Sequence, residues 1–438
     1  MGTQKHVVII GGGFAGLNLA QSLKHEQVAI TIVDQQNHHL FQPLLYQVAT
    51  GGLAVPEIAE PIRSVFAKRD DIRSLMDVAE SVDLEAQTVT LSTQTLHYDY
   101  LVFAVGMVNS YFGNDHWAKH TIGLKSLNEA RRIRQSVLHA FEKAEASKSI
   151  DERRRLMTVV IVGAGPTGVE MAGALSELTK RAFKGNFRSI NPEESRIILI
   201  EAADRVLSTF SEKSSASAKR ALQRRNVDLR LGTSVRDIKE GMVEIDGEQL
   251  EAETIIWTAG VEANPVVHTL PTKKDRRGRI FVNPDTSIPE ASNVFAIGDI
   301  VNLTDPKGVQ VPGVSPAAIQ LGKYVARLIE RELDGKDNAR KPFTYLDKGS
   351  MATIGRSAAV VEVGKIKFSG FPAWILWLGV HLVYLIGFRN RIAVLLQWMY
   401  AYIKYRPGAR VFERPASIEA SDIESPVPIE PELYESRN

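Results

Sequence analysis

Cysteine is absent from the 438 residues of this chain. Its absence excludes disulfide bonds, iron–sulfur clusters and zinc sites held by thiolates, and any transfer of electrons through a cysteine pair. An excess of charge of one sign is also lacking, because 53 basic residues are balanced by 51 acidic ones, for a net charge of +2. A nucleic-acid partner is therefore not expected, and neither is a metal site.

The chain is too long for a single hydrophobic core, since such cores stop growing at roughly 250–300 residues. With 438 residues and 44% hydrophobic side chains, it is expected to form two or more globular domains. A β-rich run begins at His6, which leaves no room for a secretory signal before it. We therefore predict that the protein is made and kept in the cytoplasm.

A glycine-rich turn follows the first apolar run of the chain. Residues 6–10 (HVVII) precede Gly11, Gly13 and Gly16, and a helix-forming segment comes next. In such a turn the first glycine permits the sharp bend, the second lets the backbone approach a pyrophosphate, and the third lets the helix pack against its strand. The helix N-terminus attracts the phosphate charge. The motif predicts a dinucleotide site, although one copy alone can be a simple strand–helix turn.

A second copy of the motif lies further along the chain. Residues 159–162 (VVIV) precede Gly163, Gly165 and Gly168, and a helical segment containing Glu170 follows. Two such motifs, each between a strand and a helix, indicate that two dinucleotides are handled together. This pattern is typical of a flavoprotein that takes electrons from a nicotinamide. Without cysteine, the flavin has to pass its electrons directly to a substrate.

An acidic residue ends the strand that follows each motif. Asp34 comes after residues 30–33 (ITIV), and Glu201 comes after residues 197–200 (IILI). A carboxylate at this position accepts hydrogen bonds from a ribose diol, and at Glu201 it favours NADH because a 2′-phosphate would meet like charge. Arg205 is close enough in sequence to weaken that preference.

Further apolar runs end at glycines. Residues 98–106 and 254–260 occupy matching places in the two halves of the chain, which indicates an internal repeat. Residues 293–299 (NVFAIGD) end in Gly298 and Asp299, where backbone N–H groups can face a pyrophosphate and the carboxylate can meet ribityl hydroxyls. We predict that this segment returns the chain to the first domain. A strand followed by an ordinary turn is the plain alternative.

The predicted fold class is α/β, with two Rossmann-type dinucleotide-binding domains and a C-terminal amphipathic helical membrane-binding region. A charged amphipathic helix at residues 125–150 is predicted to bridge the two domains, because apolar residues recur there at helical spacing. This apolar stripe consists of Ala130, Ile133, Val137, Leu138 and Phe141. The predicted divisions are residues 1–115 and 263–335 for the two parts of the FAD-binding domain, 116–262 for the NADH-binding domain, 336–410 for the membrane-binding region, and 411–438 for a disordered tail.

The C-terminal region contains two long apolar runs. Residues 371–387 carry no charge except on the titratable His381, and residues 392–403 form a second run after Arg389 and Arg391. Three interpretations remain open: an interfacial helical hairpin, a core or dimer contact, and a membrane-spanning helix. The hairpin fits best, because tryptophans and tyrosines with basic flanks suit the lipid–water boundary, and a spanning helix needs about 20 apolar residues.

With these residues assembled, the chain resembles the type II NADH:quinone oxidoreductases, a family of single-subunit respiratory dehydrogenases that do not pump protons. The resemblance covers nearly everything up to about residue 405. It rests on residues 37–51 (NHHLFQPLLYQVATG), the second glycine motif continuing into Glu170, residues 317–320 (AAIQ), residues 347–353 (DKGSMAT) and the amphipathic C-terminal region.

The resemblance implies a function and a set of site residues. Non-covalent FAD accepts hydride from NADH and passes two electrons to menaquinone or ubiquinone, on a homodimer attached peripherally to the cytoplasmic face of the inner membrane. The implied catalytic residues are Glu170, Gln320 and Lys348. The implied FAD-binding residues are Gly11, Gly13, Phe14, Ala15, Gly16, Asp34, Gln42, Ala104, Gly106, Gly298, Asp299, Ala317 and Ala318. The implied NADH-binding residues are Gly163, Gly165, Gly168, Glu170, Glu201 and Gly260.

The sequence departs from the family pattern at one place. Gln320 matches the second glutamine of the family's quinone-site motif, but Pro316 occupies the position of the first. For Glu170, the plain alternative is an acid that complements the helix dipole, and for Lys348 it is a solvated lysine. The alternative functions are a soluble NADH-dependent ferredoxin or rubredoxin reductase, which would not need the apolar hairpin, and an NADH-sensing flavoprotein without enzymatic turnover.

Overall fold

The structure is a computed structural model, and it describes residues 4–336, 339–404 and 411. The strands, in chain order, are β1 (Lys5–Ile10), β2 (Val28–Asp34), β3 (His38–Leu40), β4 (Ala59–Pro61), β5 (Ile72–Met76), β6 (Ala79–Asp83), β7 (Thr88–Leu91), β8 (Thr95–His97), β9 (Tyr100–Phe103), β10 (Met107–Asn109), β11 (Thr158–Val162), β12 (Arg196–Glu201), β13 (Val227–Leu231), β14 (Val235–Lys239), β15 (Met242–Ile245), β16 (Glu248–Glu251), β17 (Thr254–Trp257), β18 (Val261–Ala263), β19 (Ile280–Phe281), β20 (Ser287–Ile288), β21 (Ala291–Ala296), β22 (Val301–Asn302), β23 (Ser350–Thr353), β24 (Ala359–Val363) and β25 (Ile366–Gly370). The helices are α1 (Phe14–Ser22), α2 (Leu45–Ala49), α3 (Val55–Ile58), α4 (Ile62–Val65), α5 (Leu127–Ala146), α6 (Ile150–Leu156), α7 (Pro166–Glu177), α8 (Glu212–Gln223), α9 (Ser315–Leu333), α10 (Phe371–Tyr384) and α11 (Phe388–Lys404).

The first sheet has six strands in the order β20-β21-β9-β1-β2-β5. All neighbours pair in parallel except β20, which is antiparallel to β21. Its central strands are runs of Val, Ile, Leu and Phe that are buried on both faces, as parallel sheets covered by helices require. The strand β21 inserts beside β9, so the chain returns to the first sheet after completing the second.

The second sheet has four parallel strands in the order β13-β12-β11-β17. If each sheet is numbered from its own first strand, both contain the order 3-2-1-4, which is that of a Rossmann-type fold. A three-stranded antiparallel sheet precedes the fourth strand in each half, namely β6-β7-β8 and β14-β15-β16. The internal repeat predicted from the sequence is therefore present, and the α/β class is confirmed.

The segment between the two halves forms two helices. α5 begins with a capping box, in which the Ser126 side chain accepts from the Glu129 N–H and Glu129 accepts from the Ser126 N–H. The five residues of the predicted apolar stripe are all buried. The helix ends at Ala146, four residues earlier than predicted, and α6 follows from Ile150.

A separate unit follows α9. The strands β23, β24 and β25 form an antiparallel sheet that no pattern in the sequence had predicted. The two apolar runs form α10 and α11 as a helical hairpin, with Gly387 at φ +86° between them. Within residues 4–336 and 339–404, the structure has no helix with the length and apolar character needed to cross a membrane. The predicted disordered tail lies outside the described residues, apart from Val411.

Candidate active site

The first glycine turn forms a cradle between β1 and α1. A Cβ atom on Gly11 would lie 2.4 Å from the Ala104 carbonyl oxygen, and one on Gly16 would lie 1.9 Å from the Gly11 carbonyl oxygen. A Cβ on Gly13 would meet no atom within 4 Å, so the turn is open there. Protein atoms thus leave no room for a side chain at Gly11 or Gly16, whereas Gly13 faces free space. This arrangement fits the close approach of a dinucleotide phosphate to the backbone at Gly13.

The second glycine turn repeats this geometry between β11 and α7. A Cβ on Gly163 would lie 2.6 Å from Ala259 Cα, and one on Gly168 would lie 1.9 Å from the Gly163 carbonyl oxygen. The space at Gly165 is open within 4 Å. The residues of both turns therefore fit a dinucleotide, and they do so in the same way.

The acidic residue at the tip of each second strand reaches back to its glycine turn. The Gly12 N–H donates to Asp34 Oδ2 at 2.6 Å, and the Ala164 N–H donates to Glu201 Oε2 at 2.6 Å. Burial raises the pKa of Asp34, although the N–H donors of Gly12 and Gln36 offset part of the rise. Asp34 and Glu201 thus occupy equivalent places in the two sheets, as the sequence predicted for ribose-binding carboxylates.

Residues from three distant segments meet around the first cradle. A Cβ on Gly298 would lie 3.3 Å from Ala15 Cβ and 4.0 Å from Ala318 Cβ, so α1, the end of β21 and the start of α9 come together there. Ala317 is buried at the same helix start, and Ala104 donates its N–H to the Ile10 carbonyl at 2.7 Å. These predicted FAD-binding residues therefore come together beside the first glycine turn.

The remaining predicted FAD-binding residues lie around this region. Phe14 begins α1, and its ring packs edge-on against His39 at 5.0 Å and against Phe41 at 5.7 Å between centroids. Gly106 has φ +65°, in the left-handed region that favours glycine, and its carbonyl accepts from the Asn264 N–H.

A lysine that the sequence analysis missed faces Asp299. Burial raises the pKa of Asp299 and lowers the pKa of Lys125, and each shift is partly offset by the attraction between the two groups. The Lys125 carbonyl also accepts a hydrogen bond from Gln42 Nε2 at 3.1 Å. Lys125 directly precedes the capping box of α5, and this position carried no sequence signal for a ligand site.

A cavity of about 140 Å³ opens between the two nucleotide cradles. It brings together four predicted or charged site residues, Gln42, Lys125, Glu170 and Gly260. At Gly260 a Cβ would lie 2.5 Å from Phe112 Cζ, so only glycine fits without a shift of the ring. We refer to this space as the nucleotide cavity.

Glu170 is the buried acid of the nucleotide cavity. It lies one turn into α7, its side chain is 9% exposed, and its Oε1 accepts from the Thr353 N–H at 3.3 Å. Burial raises the pKa of Glu170 to about 8, against a smaller lowering by the Thr353 N–H and by the Trp377 indole. The carboxyl is therefore mostly protonated at pH 7 and can exchange a proton near neutral pH.

A second cavity, also about 140 Å³, lies between α2, the end of α7 and the C-terminal hairpin. We refer to it as the aromatic cavity, because Tyr46, Trp374, Trp377, Trp398 and Tyr402 line it. Tyr46 lines both cavities, and Thr353, which donates to Glu170, lines the aromatic one. Glu170 and Tyr46 thus stand at the wall between a nucleotide site and an apolar, ring-lined pocket.

Two predicted catalytic residues lie apart from both cavities. Gln320 Nε2 donates to the carbonyls of Pro316 and Leu346, each at 3.0 Å, and its Oε1 accepts from the Leu346 N–H at 3.0 Å. Lys348 Nζ lies 3.4 Å from the Tyr384 hydroxyl at the end of α10. Neither residue lines the nucleotide or the aromatic cavity, and their catalytic roles stay predictions.

Comparison with known proteins agrees with this geometry. Residues 5–322 match the pyridine nucleotide-disulphide oxidoreductase family, and residues 348–407 match the NDH2 C-terminal domain. The chain is 44% identical over 416 residues to the type II NADH:quinone oxidoreductase Ndh of Mycobacterium tuberculosis, covering 92% of this chain and 89% of the relative. The chain belongs to the type II NADH:quinone oxidoreductase family.

A further relative and a solved structure are similar to the chain over most of its length. The internal alternative NAD(P)H-ubiquinone oxidoreductase A1 of Arabidopsis thaliana mitochondria is 30% identical over 443 residues, covering 94% of this chain and 86% of the relative. The structure of NDH2 from Plasmodium falciparum in complex with NADH matches with a TM-score of 0.87 at 19% identity, covering 93% of this chain and 100% of that one. The structural match supports the fold.

Proposed function

We propose that this type II family member is an FAD-dependent NADH:quinone oxidoreductase, a respiratory dehydrogenase that does not pump protons. The overall reaction converts NADH, a proton and a quinone to NAD⁺ and a quinol. One observation carries the proposal: the buried Glu170 and Tyr46 separate a cavity between two dinucleotide cradles from an apolar, ring-lined cavity under the C-terminal hairpin. A soluble electron-transfer reductase has no need of the second cavity.

The two cradles take different dinucleotides in this proposal. The first turn, where Gly13 is open, would hold FAD, with Asp34 as the residue for a ribose and Asp299 as the residue for the ribityl hydroxyls. NADH lies on the second turn, where Gly165 is open, with its adenosine ribose at Glu201. When bound, the flavin supplies the group that accepts hydride from NADH and releases two electrons.

Protein side chains control charge and protons around that chemistry. Lys125 is a half-buried cation that lines the nucleotide cavity, and a cation there stabilises negative charge that develops on a bound ring system. Glu170, with its pKa raised to about 8, holds a proton at the wall between the cavities. Quinol formation consumes one proton beyond the hydride, so a carboxyl that exchanges a proton near neutral pH suits this position.

The test is anaerobic and separates the two half-reactions. NADH is added to bleach the bound flavin, and decylubiquinone or menadione is then added while the flavin absorbance is followed. We expect the absorbance to recover with a quinone. Recovery with a ferredoxin or rubredoxin alone would favour the soluble reductase, and no recovery with any acceptor would favour an NADH-sensing flavoprotein.

We further propose that the C-terminal hairpin attaches the protein peripherally to the cytoplasmic face of the inner membrane. α11 exposes apolar residues at helical spacing, which are Ile392, Leu395, Leu396, Met399 and Tyr400. α10 adds Phe371, Ile375 and Val383, each with about half or more of its surface exposed. An exposed apolar face of this size, with Arg389 and Arg391 at one end, fits an anionic lipid surface.

Substitution within the exposed face tests membrane attachment. Leu396 and Met399 are 55% and 50% exposed, so a Leu396→Gln/Met399→Gln variant should fold and retain flavin. Its binding to phosphatidylglycerol vesicles in a sedimentation assay should fall by about tenfold or more, because two apolar side chains no longer enter the lipid. The control is Ile150→Gln, at a 79% exposed position of α6. Equal pelleting of all three proteins would contradict the proposal.

The physiological acceptor is proposed to be menaquinone or ubiquinone, and the assembly a homodimer. The apolar lining of the aromatic cavity suits either quinone ring, so relative turnover with naphthoquinone and benzoquinone analogues distinguishes them. Sedimentation velocity of the flavin-loaded protein in detergent reports the oligomeric state. A monomer at micromolar concentration would contradict the dimer.

A further inference from the structure

A chain of hydrogen bonds joins the C-terminal hairpin to the wall between the two cavities. Trp398 Nε1, on α11, donates to Gln47 Oε1 at 2.7 Å, and Gln47 Nε2 donates to the Tyr46 hydroxyl oxygen at 2.9 Å. Tyr46 and Gln47 lie on α2, and Gln47 is 351 positions before Trp398. All three side chains line the aromatic cavity.

The chemistry of these groups fixes the direction of every bond in the chain. An indole N–H is only a donor, so the oxygen of the Gln47 amide has to face Trp398. The amide nitrogen of Gln47 then has to face Tyr46, and because that nitrogen is only a donor, the Tyr46 oxygen has to accept. The Tyr46 proton consequently points away from Gln47.

That proton has no acceptor among the residues that the structure describes. Among those residues, the Tyr46 hydroxyl takes part in one hydrogen bond, the one that it accepts from Gln47. Burial raises the pKa of Tyr46 well above its usual value, and the nearby Glu170 carboxyl adds to the rise, so the hydroxyl stays protonated at working pH. A buried O–H donor without an acceptor costs free energy unless a ligand supplies one.

We propose that Tyr46 is a catalytic residue that donates a hydrogen bond to a carbonyl oxygen of the quinone bound in the aromatic cavity. Gln47 and Trp398 are positioning residues, because they orient the Tyr46 hydroxyl without touching the quinone carbonyl. This inference rests on the proposed quinone reductase function. The hydroxyl keeps its proton, and its bond strengthens as the carbonyl oxygen gains negative charge during reduction.

The Tyr46 hydroxyl would supply a polar contact to the quinone, in place of the contact that Pro316 removes. Pro316 removes the first glutamine that the family resemblance implied, and the Gln320 amide is bonded to the backbone of residues 316 and 346. Tyr46, in contrast, lines the cavity and has a proton to donate.

The decisive variant is Tyr46→Phe in the full-length, flavin-loaded protein. It removes one hydroxyl and keeps the ring that packs 6.4 Å from Trp377. Quinone binding is measured without turnover, by quenching of tryptophan fluorescence with decylubiquinone, since three tryptophans line the cavity. We expect the Kd for decylubiquinone to rise about three- to tenfold and kcat/KM for it to fall further, while anaerobic flavin bleaching by NADH changes much less.

Two further variants distinguish a catalytic donor from a structural hydroxyl. Tyr98→Phe is the matched control, because Tyr98 is also buried but lines neither cavity, and its hydroxyl lies 3.5 Å from the Asp83 carbonyl. Gln47→Met removes the bond that orients Tyr46, and it should lower kcat/KM for quinone less than Tyr46→Phe does. A Tyr46→Phe/Gln47→Met protein should be no worse than Tyr46→Phe alone, since Gln47 acts through Tyr46.

The outcomes separate this inference from the proposed function. If the unmodified protein fails to reduce any quinone, the proposed function is wrong. If it reduces quinone and Tyr46→Phe matches Tyr98→Phe in Kd and kcat/KM, the role of Tyr46 is wrong. If Tyr46→Phe slows flavin bleaching as much as quinone turnover, Tyr46 serves the nucleotide cavity or the fold and not the quinone, which also overturns the inference.

Discussion

Burial keeps two titratable side chains near the cavities, Glu170 and His381, mostly uncharged at neutral pH. It raises the pKa of Glu170 to about 8 and lowers the pKa of His381, which stacks on Trp377, to about 4. The shifts have opposite signs because burial penalises the charged form, which is the deprotonated form of a carboxyl and the protonated form of an imidazole. These two side chains therefore add no charge beside the aromatic cavity, whose lining also contains Arg356 and Glu177, the latter paired with Arg225.

The raised pKa of Glu170 predicts a pH-dependent cost to stability. The unfolded carboxyl loses its proton near 4.5 and the folded one near 8, so between these values the unfolded state binds fewer protons. The contribution of Glu170 to the free energy of unfolding then falls as pH rises, by about 1.4 kcal/mol per pH unit. In Glu170→Gln that loss disappears, so the variant's Tm relative to the unmodified protein should increase from pH 5 to pH 8 at saturating FAD.

The histidines do not obscure that comparison, because they are the same in both proteins and cancel in the difference of Tm values. Thermal unfolding followed by tryptophan fluorescence at each pH gives the measurement. A Tm difference that stays constant from pH 5 to pH 8 would mean that Glu170 titrates near its ordinary value.

Glu201 is predicted to set the preference for NADH over NADPH. Its carboxylate sits at the tip of β12 beside the second glycine turn, where a 2′-phosphate would meet like charge. In Glu201→Arg the guanidinium attracts that phosphate, so the ratio of kcat/KM for NADH to that for NADPH should fall by at least about tenfold. Glu240→Arg makes the same charge change at an exposed position and should leave the ratio unaltered.

At the scale of elements, one arginine holds the C-terminal end of α11. Arg356 donates to the Ala401 carbonyl from Nη1 at 2.6 Å and to the Tyr402 carbonyl from Nη2 at 2.8 Å. Its guanidinium also lies 4.8 Å from the centre of the Tyr402 ring. A cation is well placed here, because the last carbonyls of a helix lack partners and carry partial negative charge.

We predict that Arg356→Ala loosens α11 without unfolding the two nucleotide domains. Loss of two charge-assisted hydrogen bonds should speed amide hydrogen exchange in residues 388–404 by roughly tenfold or more, while exchange in α5 stays unchanged. Arg69→Ala is the control, since Arg69 likewise donates to a distant backbone carbonyl, that of Leu23. Protection of α11 that is equal in both variants would show that this helix is held by other contacts.

Local patterns in the sequence were enough to predict several elements. The apolar stripe of α5, both glycine turns and the helices of the C-terminal hairpin follow from periodicity and turn residues within short windows. The sheet of β23, β24 and β25 was missed, because its strands are only four or five residues long and β23 and β24 lack a clean alternation of apolar and polar residues. The contacts of Tyr46 with Trp398, through Gln47, and of Gln320 with Leu346 join distant segments, so no local pattern revealed them.

The molecule as a whole uses the same nucleotide-binding unit twice. Each half has a parallel sheet in the order 3-2-1-4, a three-stranded antiparallel insert before the fourth strand, and a glycine turn with an acid facing it. The first sheet is completed by β21, which follows the second half in sequence, so the two halves are interleaved along the chain. Each cradle is nevertheless built within its own sheet, and this suggests that the two binding events are separable.

Reciprocal glycine substitutions test that separation. Gly11 and Gly163 have φ of +107° and +100°, and a Cβ at either would collide with the neighbouring strand's end. Gly11→Ala should purify with little FAD, because the first turn cannot keep its shape. Gly163→Ala should retain FAD but need about tenfold or more NADH to bleach it anaerobically. Each variant is the other's control, measured as flavin per protein and as NADH concentration for half-bleaching. Both variants add the same methyl group at equivalent turns. If Gly163→Ala lost flavin as completely as Gly11→Ala, the two cradles would therefore be coupled through the fold and not independent.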